Sequence, residues 1–197
     1  MYIYSFYLTF IFLAIVSVLG IVKLTKTNTP ALRSDLALNL VATIAYFLIL
    51  KFYLDRPNMI NNIRYIDWLI TTPLLLLAFI QWSNGGVKIP ATPLVLLLVY
   101  NILMIVAGYF GEGKFNVFYV VGLVFFCLTF YTLWKHFVET LPEEKRKRAE
   151  KLYIAFAVVW ALYGVAYLFP FKYRSISYNI LDLVSKAGFG IFLISVS

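Results

Sequence analysis

An all-α membrane protein, a bundle of seven transmembrane helices in one domain over residues 1–197, is the fold predicted by three observations. Of the 197 residues, 62% are hydrophobic and only 13% are charged, whereas a soluble domain averages nearer half and a quarter. Seven apolar runs are each long enough to cross about 30 Å of hydrocarbon, which takes roughly 20 residues at 1.5 Å rise. The breaks between the runs are short and rich in Pro, Gly, Asn and charge.

The first run, near residues 2–22, has no basic stretch ahead of it and is followed by Lys23 and Lys26. It therefore reads as a retained span, not a cleaved signal. The loop "KLTKTNTPALRS" leads to a second run near 35–53, and "LDRPNMINN" to a third near 63–83. After "SNGGVKIP" comes the fourth, near 91–110, and after "GEGKFN" the fifth, near 116–137. The sixth, near 149–169, follows "HFVETLPEEKRKR", and the seventh, near 176–197, follows "PFKYRS". Loops this short leave no room for a soluble domain.

With the N-terminus outside and the C-terminus cytosolic, the loops after runs one, three and five face the cytosol. They and their flanks hold ten cations, Lys23, Lys26, Arg33, Lys88, Lys135, Lys145, Arg146, Lys147, Arg148 and Lys151. The opposite loops hold five, Lys51, Arg56, Lys114, Lys172 and Arg174. This asymmetry obeys the positive-inside rule. The net charge of +8 is thus topological, with anionic lipid as its neighbour, and nucleic acid is excluded as a partner. The single Cys127 allows no intrachain disulfide. The single His136 sits at a span end, too isolated for a metal or a catalytic triad, so an enzyme is not expected.

Two cations remain, Arg64 and Lys186, and two carboxylates, Asp67 and Asp182, lie well inside spans. Ionisable groups there are costly unless paired or lining a cavity, and by default they mark function. The alternative is that they only glue helices together. In "YNILDLVSKAGFG", Asp182 and Lys186 are four apart and share a helix face. A lysine amine in such a setting can attack an aldehyde to form a Schiff base, and the resulting cation needs anions close by. In "RYIDWLITTPLLLL", Arg64, Asp67, Trp68, Thr71 and Leu75 follow a 3–4 spacing and also share a face. One Lys, one Arg and two Asp sum to zero charge. Trp68, Trp160, Tyr163 and Tyr167 offer flat rings that suit a conjugated apolar ligand.

On these stretches the chain resembles the microbial (type 1) rhodopsins. "RYIDWLITTPLLLL" is similar to that family's third helix and "LDLVSKAGFG" to its retinal-bearing seventh. "WALYGVAY" is similar to its sixth, with Gly164 where Pro is usual and Tyr167 where Trp is usual. "YNILMIVAG" lines up with the helix beside the ring.

The resemblance implies all-trans retinal bound covalently to Lys186, with Asp67 as counterion and proton acceptor and Asp182 as second counterion. It makes Arg64 the extracellular gate and has Thr71 hydrogen-bond Asp67. Thr72 would bond across to Asn101, which is equally a plain interhelical amide. The retinal pocket would comprise Trp68, Leu75, Met104, Gly108, Trp160, Tyr163 and Tyr167, with Met104 equally a gap-filler.

Two departures bear on function. Outward pumps of the family carry a carboxylate eleven residues after the acceptor, nearly on the same face; here that missing proton-donor position is Ala78. No other carboxylate is expected in the cytosolic half of a span. The stretch "PFKYRSIS" carries Lys172 and Arg174 in place of a glutamate release pair.

The expected function is a light-driven proton transporter, outward favoured, in the plasma membrane. A photosensory rhodopsin with a slow photocycle and a light-gated ion channel are the alternatives. Expected partners are the lipid bilayer, protons or other small ions, and further copies in a homo-oligomer; a transducer stays open. The second run supplies only Asn39 and Thr43 as interior polar groups, which disfavours a wide pore.

Overall fold

The computed structural model describes residues 3–85, 88–111 and 113–196. Among these residues seven helices are long and apolar enough to cross a membrane, and no strand is present. The protein is an integral, multi-pass membrane protein. In chain order the helices are α1 (Ile3–Leu24), α2 (Pro30–Phe52), α3 (Met59–Asn84), α4 (Ala91–Gly111), α5 (Val117–Phe137) and α6 (Glu143–Tyr167). The seventh span, Phe171–Val196, opens as α7 (Phe171–Asp182), widens into a π-helical stretch (Leu183–Gly188) and closes as α8 (Phe189–Val196).

Several helices start earlier than the apolar runs predict, because caps set the start of a helix and hydropathy does not. Before α2, the Thr29 side chain accepts from the Leu32 N–H at 3.3 Å, and Pro30 fills the first position with its φ already suited. The basic stretch before the sixth run, expected as loop, is the first two turns of α6. Glu143 and Glu144 stand in its first turn. They pair with Lys147 at 2.8 Å and Arg148 at 3.1 Å, each one turn on. These pairs are exposed and contribute little stability each. The seventh span likewise starts at Phe171, directly after Pro170. At the other end of α3, Gly85 takes φ +58°, the left-handed cap that lets the chain leave the helix.

By contacts the chain divides into two compact units, residues 1–78 with 170–197, and residues 79–169. In the first, α1 lies along α2, and the whole seventh span packs against both. Its apolar core includes Phe6, Leu13, Val16, Ala42, Ile49 and Ile60. In the second, α4 lies along α5, which also meets α6. Gly122 on α5 faces α4, where a Cβ would make ordinary contact with the Met104 carbonyl oxygen at 3.8 Å.

The polarity of the helices is inverted relative to a soluble protein. Val18 and Ile44 are 60% and 59% exposed, whereas Arg64 and Asp182 are 2% and 0% exposed. Lipid on the outside and charge on the inside is the arrangement the composition demands.

One close approach in the first unit is set by Gly190 on α8. A Cβ there would lie 2.7 Å from Val16 Cγ1, 2.9 Å from Asp35 Oδ2 and 3.0 Å from Asn39 Nδ2. At Gly164 on α6 the nearest atom, Leu123 Cδ2, is 3.9 Å away. Gly190→Ala is therefore expected to cost roughly 1–3 kcal/mol by overpacking, while Gly164→Ala is tolerated. Thermal unfolding of both variants in detergent checks this; equal midpoints would contradict the packing.

Candidate functional site

The four interior charges meet within the first unit. α3 carries Arg64 and Asp67 one turn apart, and the seventh span carries Asp182 and Lys186 one turn apart. Lys186 Nζ donates to Asp67 Oδ2 at 2.5 Å and lies 3.8 Å from Asp182 Oδ1. Arg64 Nη1 is 3.9 Å from Asp182 Oδ2. All four side chains are buried. The quartet carries no net charge, which is the condition for holding such groups away from water.

Two residues that sequence reasoning missed hold Arg64, and one of them, Tyr46, bridges it to Asp182. Tyr46 on α2 donates its hydroxyl to Asp182 Oδ2 at 2.7 Å and lies 3.3 Å from Arg64 Nη1. Asn179 accepts from Arg64 Nη2 at 2.8 Å through Oδ1, and its Nδ2 donates to Ser5 Oγ at 2.8 Å. The guanidinium also has the rings of Phe6, Tyr46, Trp68 and Tyr178 at 5.3–5.8 Å from its carbon. A weakly hydrated planar cation is well suited to a place among aromatic faces. Trp68 in turn meets Tyr178 edge-on at 4.8 Å.

Two local features shape the helices that bear these groups. Thr71 Oγ1 donates to the main-chain oxygen of Asp67 at 2.9 Å, so the expected bond goes to the backbone of that residue. Thr72 donates to the Trp68 oxygen at 2.7 Å. Pro73 inside α3 leaves the Leu69 carbonyl without its helical partner, and these two bonds go to the carbonyls just before it. On the seventh span Lys186 lies inside the π-helical stretch. Such insertions rotate the side chains that follow, and they gather at functional positions. No residue pattern in the sequence announces it.

The other expected pocket residues divide between the units. Leu75 in the first is buried. In the second, Trp160 is buried and meets Phe130 edge-on at 5.5 Å. Tyr167 donates its hydroxyl to the Gly108 oxygen at 3.0 Å and stacks on Tyr119 at 5.4 Å. Tyr119 donates to the Gly164 oxygen at 3.3 Å. Asn101 is fully buried, while Met104 and Tyr163 are half-buried.

At Ala78 the helix carries only a buried methyl group. The expectation that no other carboxylate lies in that half of a span fails, however. Asp35 is inside α2 and 2% exposed. It was overlooked because it falls at the edge of the apolar run, whose true helix begins five residues earlier.

Removing Arg64 would leave Asp182 buried beside a cation already held by Asp67. Arg64→Ala is expected to destabilise the protein by about 3–5 kcal/mol, and adding Asp182→Asn to recover much of that loss. Unfolding of the two single variants and the double variant measures the coupling; strict additivity would contradict the pairing.

Comparison with known proteins fits this geometry. A family model described as bacteriorhodopsin-like protein matches residues 1–197. The chain is 26% identical over 158 residues to the green-light absorbing proteorhodopsin of Gamma-proteobacterium EBAC31A08, covering 73% of this chain and 62% of that one. It is 29% identical over 146 residues to bacteriorhodopsin-I of Haloquadratum walsbyi, covering 66% and 56%. The match thus spans under two thirds of these curated relatives. Among solved structures, the viral rhodopsin OLPVRII superposes with a TM-score of 0.87 at 30% identity, covering 98% of this chain and 95% of that one. The rhodopsin of Exiguobacterium sibiricum gives 0.80 at 27% identity, covering 97% and 93%. With the family model matched from end to end and a buried lysine seated between two aspartates, the chain belongs to the bacteriorhodopsin-like family of microbial rhodopsins.

Proposed function

We propose that the protein is a light-driven proton transporter in which Lys186 Nζ passes its proton to Asp67, and the proton leaves past Arg64 to the outside. The observation that carries this reading is the buried contact between Lys186 Nζ and Asp67 Oδ2, in a quartet of zero net charge. Light as the input is taken from the relatives, one of which is named for absorbing green light.

Members of the rhodopsin family bind retinal, and the residues here suit it. Lys186 is the one lysine among the described buried residues, and Asp67 Oδ1 has no hydrogen-bond partner among them. Lys186 Nζ would hold retinal as a Schiff base, with Trp68 and Leu75 on α3 as neighbours. Once bound, retinal supplies the absorption of light and the isomerisation that turns the Nζ–H bond.

The rest follows from the chain's own groups. A proton leaving Lys186 Nζ has two candidate acceptors, Asp67 Oδ2 at 2.5 Å and Asp182 Oδ1 at 3.8 Å. Asp182 is already engaged by the Tyr46 hydroxyl and by Arg64. Transfer to Asp67 cancels two charges and leaves Arg64 and Asp182 as an intact pair. Transfer to Asp182 would leave Arg64 facing a neutral acid and Asp67 as a buried anion without its amine. In an interior of low polarity the first outcome costs less. Arg64 and Asn179 then form the polar layer next to Asp67 on the side away from Ala78, the outer side in the orientation expected from the positive-inside rule.

Lys186→Ala should abolish the visible absorption band that forms when retinal is added to the apoprotein; a surviving red-shifted band would overturn the site. In cells or vesicles of known orientation, illumination should acidify the outside. A proton uncoupler should abolish the signal, and so should Asp67→Asn. Alkalinisation would reverse the direction, a current that follows the ionic gradient would make the protein a channel, and silence would favour a sensor. Each of these three contradicts the proposal.

A further inference from the structure

Proton transfer from Lys186 to Asp67 leaves the lysine nitrogen in need of a new proton, and the family's usual donor position holds Ala78. We propose that Asp35 on α2 is the carboxylic acid that returns this proton, from the side of the membrane opposite Arg64. This inference rests on the transport reading above.

Position comes first. Tyr46 on α2 meets Asp182 on α7, while Asp35 on α2 meets Gly190 on α8. The two helices therefore run antiparallel, and Lys186 lies between those two levels. Gly190 is four residues beyond Lys186, about 6 Å along a helix axis. Arg64 and Asn179 stand on one side of the lysine, and Asp35 stands on the other, the same side as Ala78. The absence of a side chain at Gly190 is what lets the carboxylate reach the seventh span: a Cβ there would come within 2.9 Å of Asp35 Oδ2.

Next comes the state of the group. Asp35 is 2% exposed and Asn39 0%. Asn39 Nδ2 donates to Asp35 Oδ2 at 3.1 Å and to the Asp35 main-chain oxygen at 3.0 Å. Asp35 Oδ1 and Asn39 Oδ1 both lack a partner among the described residues. Two buried acceptor atoms on neighbouring side chains call for a donor hydrogen. A proton on the Asp35 carboxyl supplies one at no cost in charge, whereas an anion held only by an amide would carry a desolvation cost of several kcal/mol. Asp35 is thus read as the neutral acid in the dark, which is what a proton donor has to be.

A polar route leads from it along α2. Asp35, Asn39 and Thr43 recur every four residues on one face. Thr43 Oγ1 donates to the Asn39 oxygen at 2.7 Å and lies 3.4 Å from Ser17 Oγ on α1. This row runs toward the level of Lys186, and the proposed transfer is relayed from it by water. In the step itself an O–H bond of Asp35 breaks and an N–H bond forms on Lys186 Nζ, with water relaying the proton. The Asp35 carboxylate then takes a proton from bulk water at the α2 N-terminus, six residues from the Thr29 cap.

Two measurements test this. In the retinal-free protein, infrared spectroscopy should show a carboxylic acid C=O band that shifts in D2O, is lost in Asp35→Asn and persists in Asp67→Asn. In the retinal-loaded protein, Asp35→Asn should slow the return of the dark absorption after a flash by roughly 100-fold. Sodium azide, a small weak acid, should restore the rate, and Asp35→Glu should keep most of it. An unchanged rate in Asp35→Asn, or no C=O band assigned to Asp35, overturns the donor assignment even if vesicles acidify their medium in light. A slowed, azide-rescued return supports it even if no net pH change is seen, so the donor and the transport reading fail separately.

Discussion

The contact between the Lys186 amine and the Asp67 carboxylate is the constraint on which the rest of the first unit depends. Two ions in a membrane interior are tolerable only together, and only if nothing nearby unbalances them. Asp182 would unbalance them, and Arg64 offsets it. Arg64 in turn is held by Asn179, by the Tyr46 hydroxyl and by four aromatic rings. Each residue around the quartet can be read as the answer to a charge placed by its neighbour. The same logic explains why the network is dense on this side of the lysine.

The two sides of Lys186 differ in kind. Toward Arg64 the groups are charged, mutually bonded and held close. Toward Gly190 they are sparse: one acid, one amide and two hydroxyls, with the Asp35 and Asn39 Oδ1 acceptors unfilled among the described residues. In the proposed cycle a proton released toward the first side would enter an array that keeps its charge balance. A proton returned from the second side would come from a group with little else to hold it. Such an asymmetry would give proton movement its direction in that cycle. The π-helical stretch around Lys186 sits at the boundary between the two.

Much of this was legible in the sequence. Seven apolar runs revealed the spans because lipid leaves no alternative to a helix of that length. Arg64, Asp67, Asp182 and Lys186 stood out because charge in a span is costly, and their i,i+3 and i,i+4 spacings placed them on common faces. Other residues were hidden for definite reasons. Tyr46 and Asn179 are of types that also occur as ordinary interior residues, so only three-dimensional proximity to Arg64 reveals their role. Asp35 was obscured by a helix start misjudged from hydropathy, where Thr29 and Pro30 were the better guide. The π-helical stretch and the cradle opposite Gly190 depend on backbone geometry that side-chain patterns do not encode.

The central claim is that Asp67, and not Asp182, takes the proton that leaves Lys186. Time-resolved infrared difference spectroscopy of the retinal-loaded protein tests it most directly, by following the C=O stretch of a newly protonated carboxylic acid after a flash. The account predicts a band that appears with the loss of the visible absorption, disappears in Asp67→Asn and survives in Asp182→Asn. A band that survives in Asp67→Asn and vanishes in Asp182→Asn would contradict it.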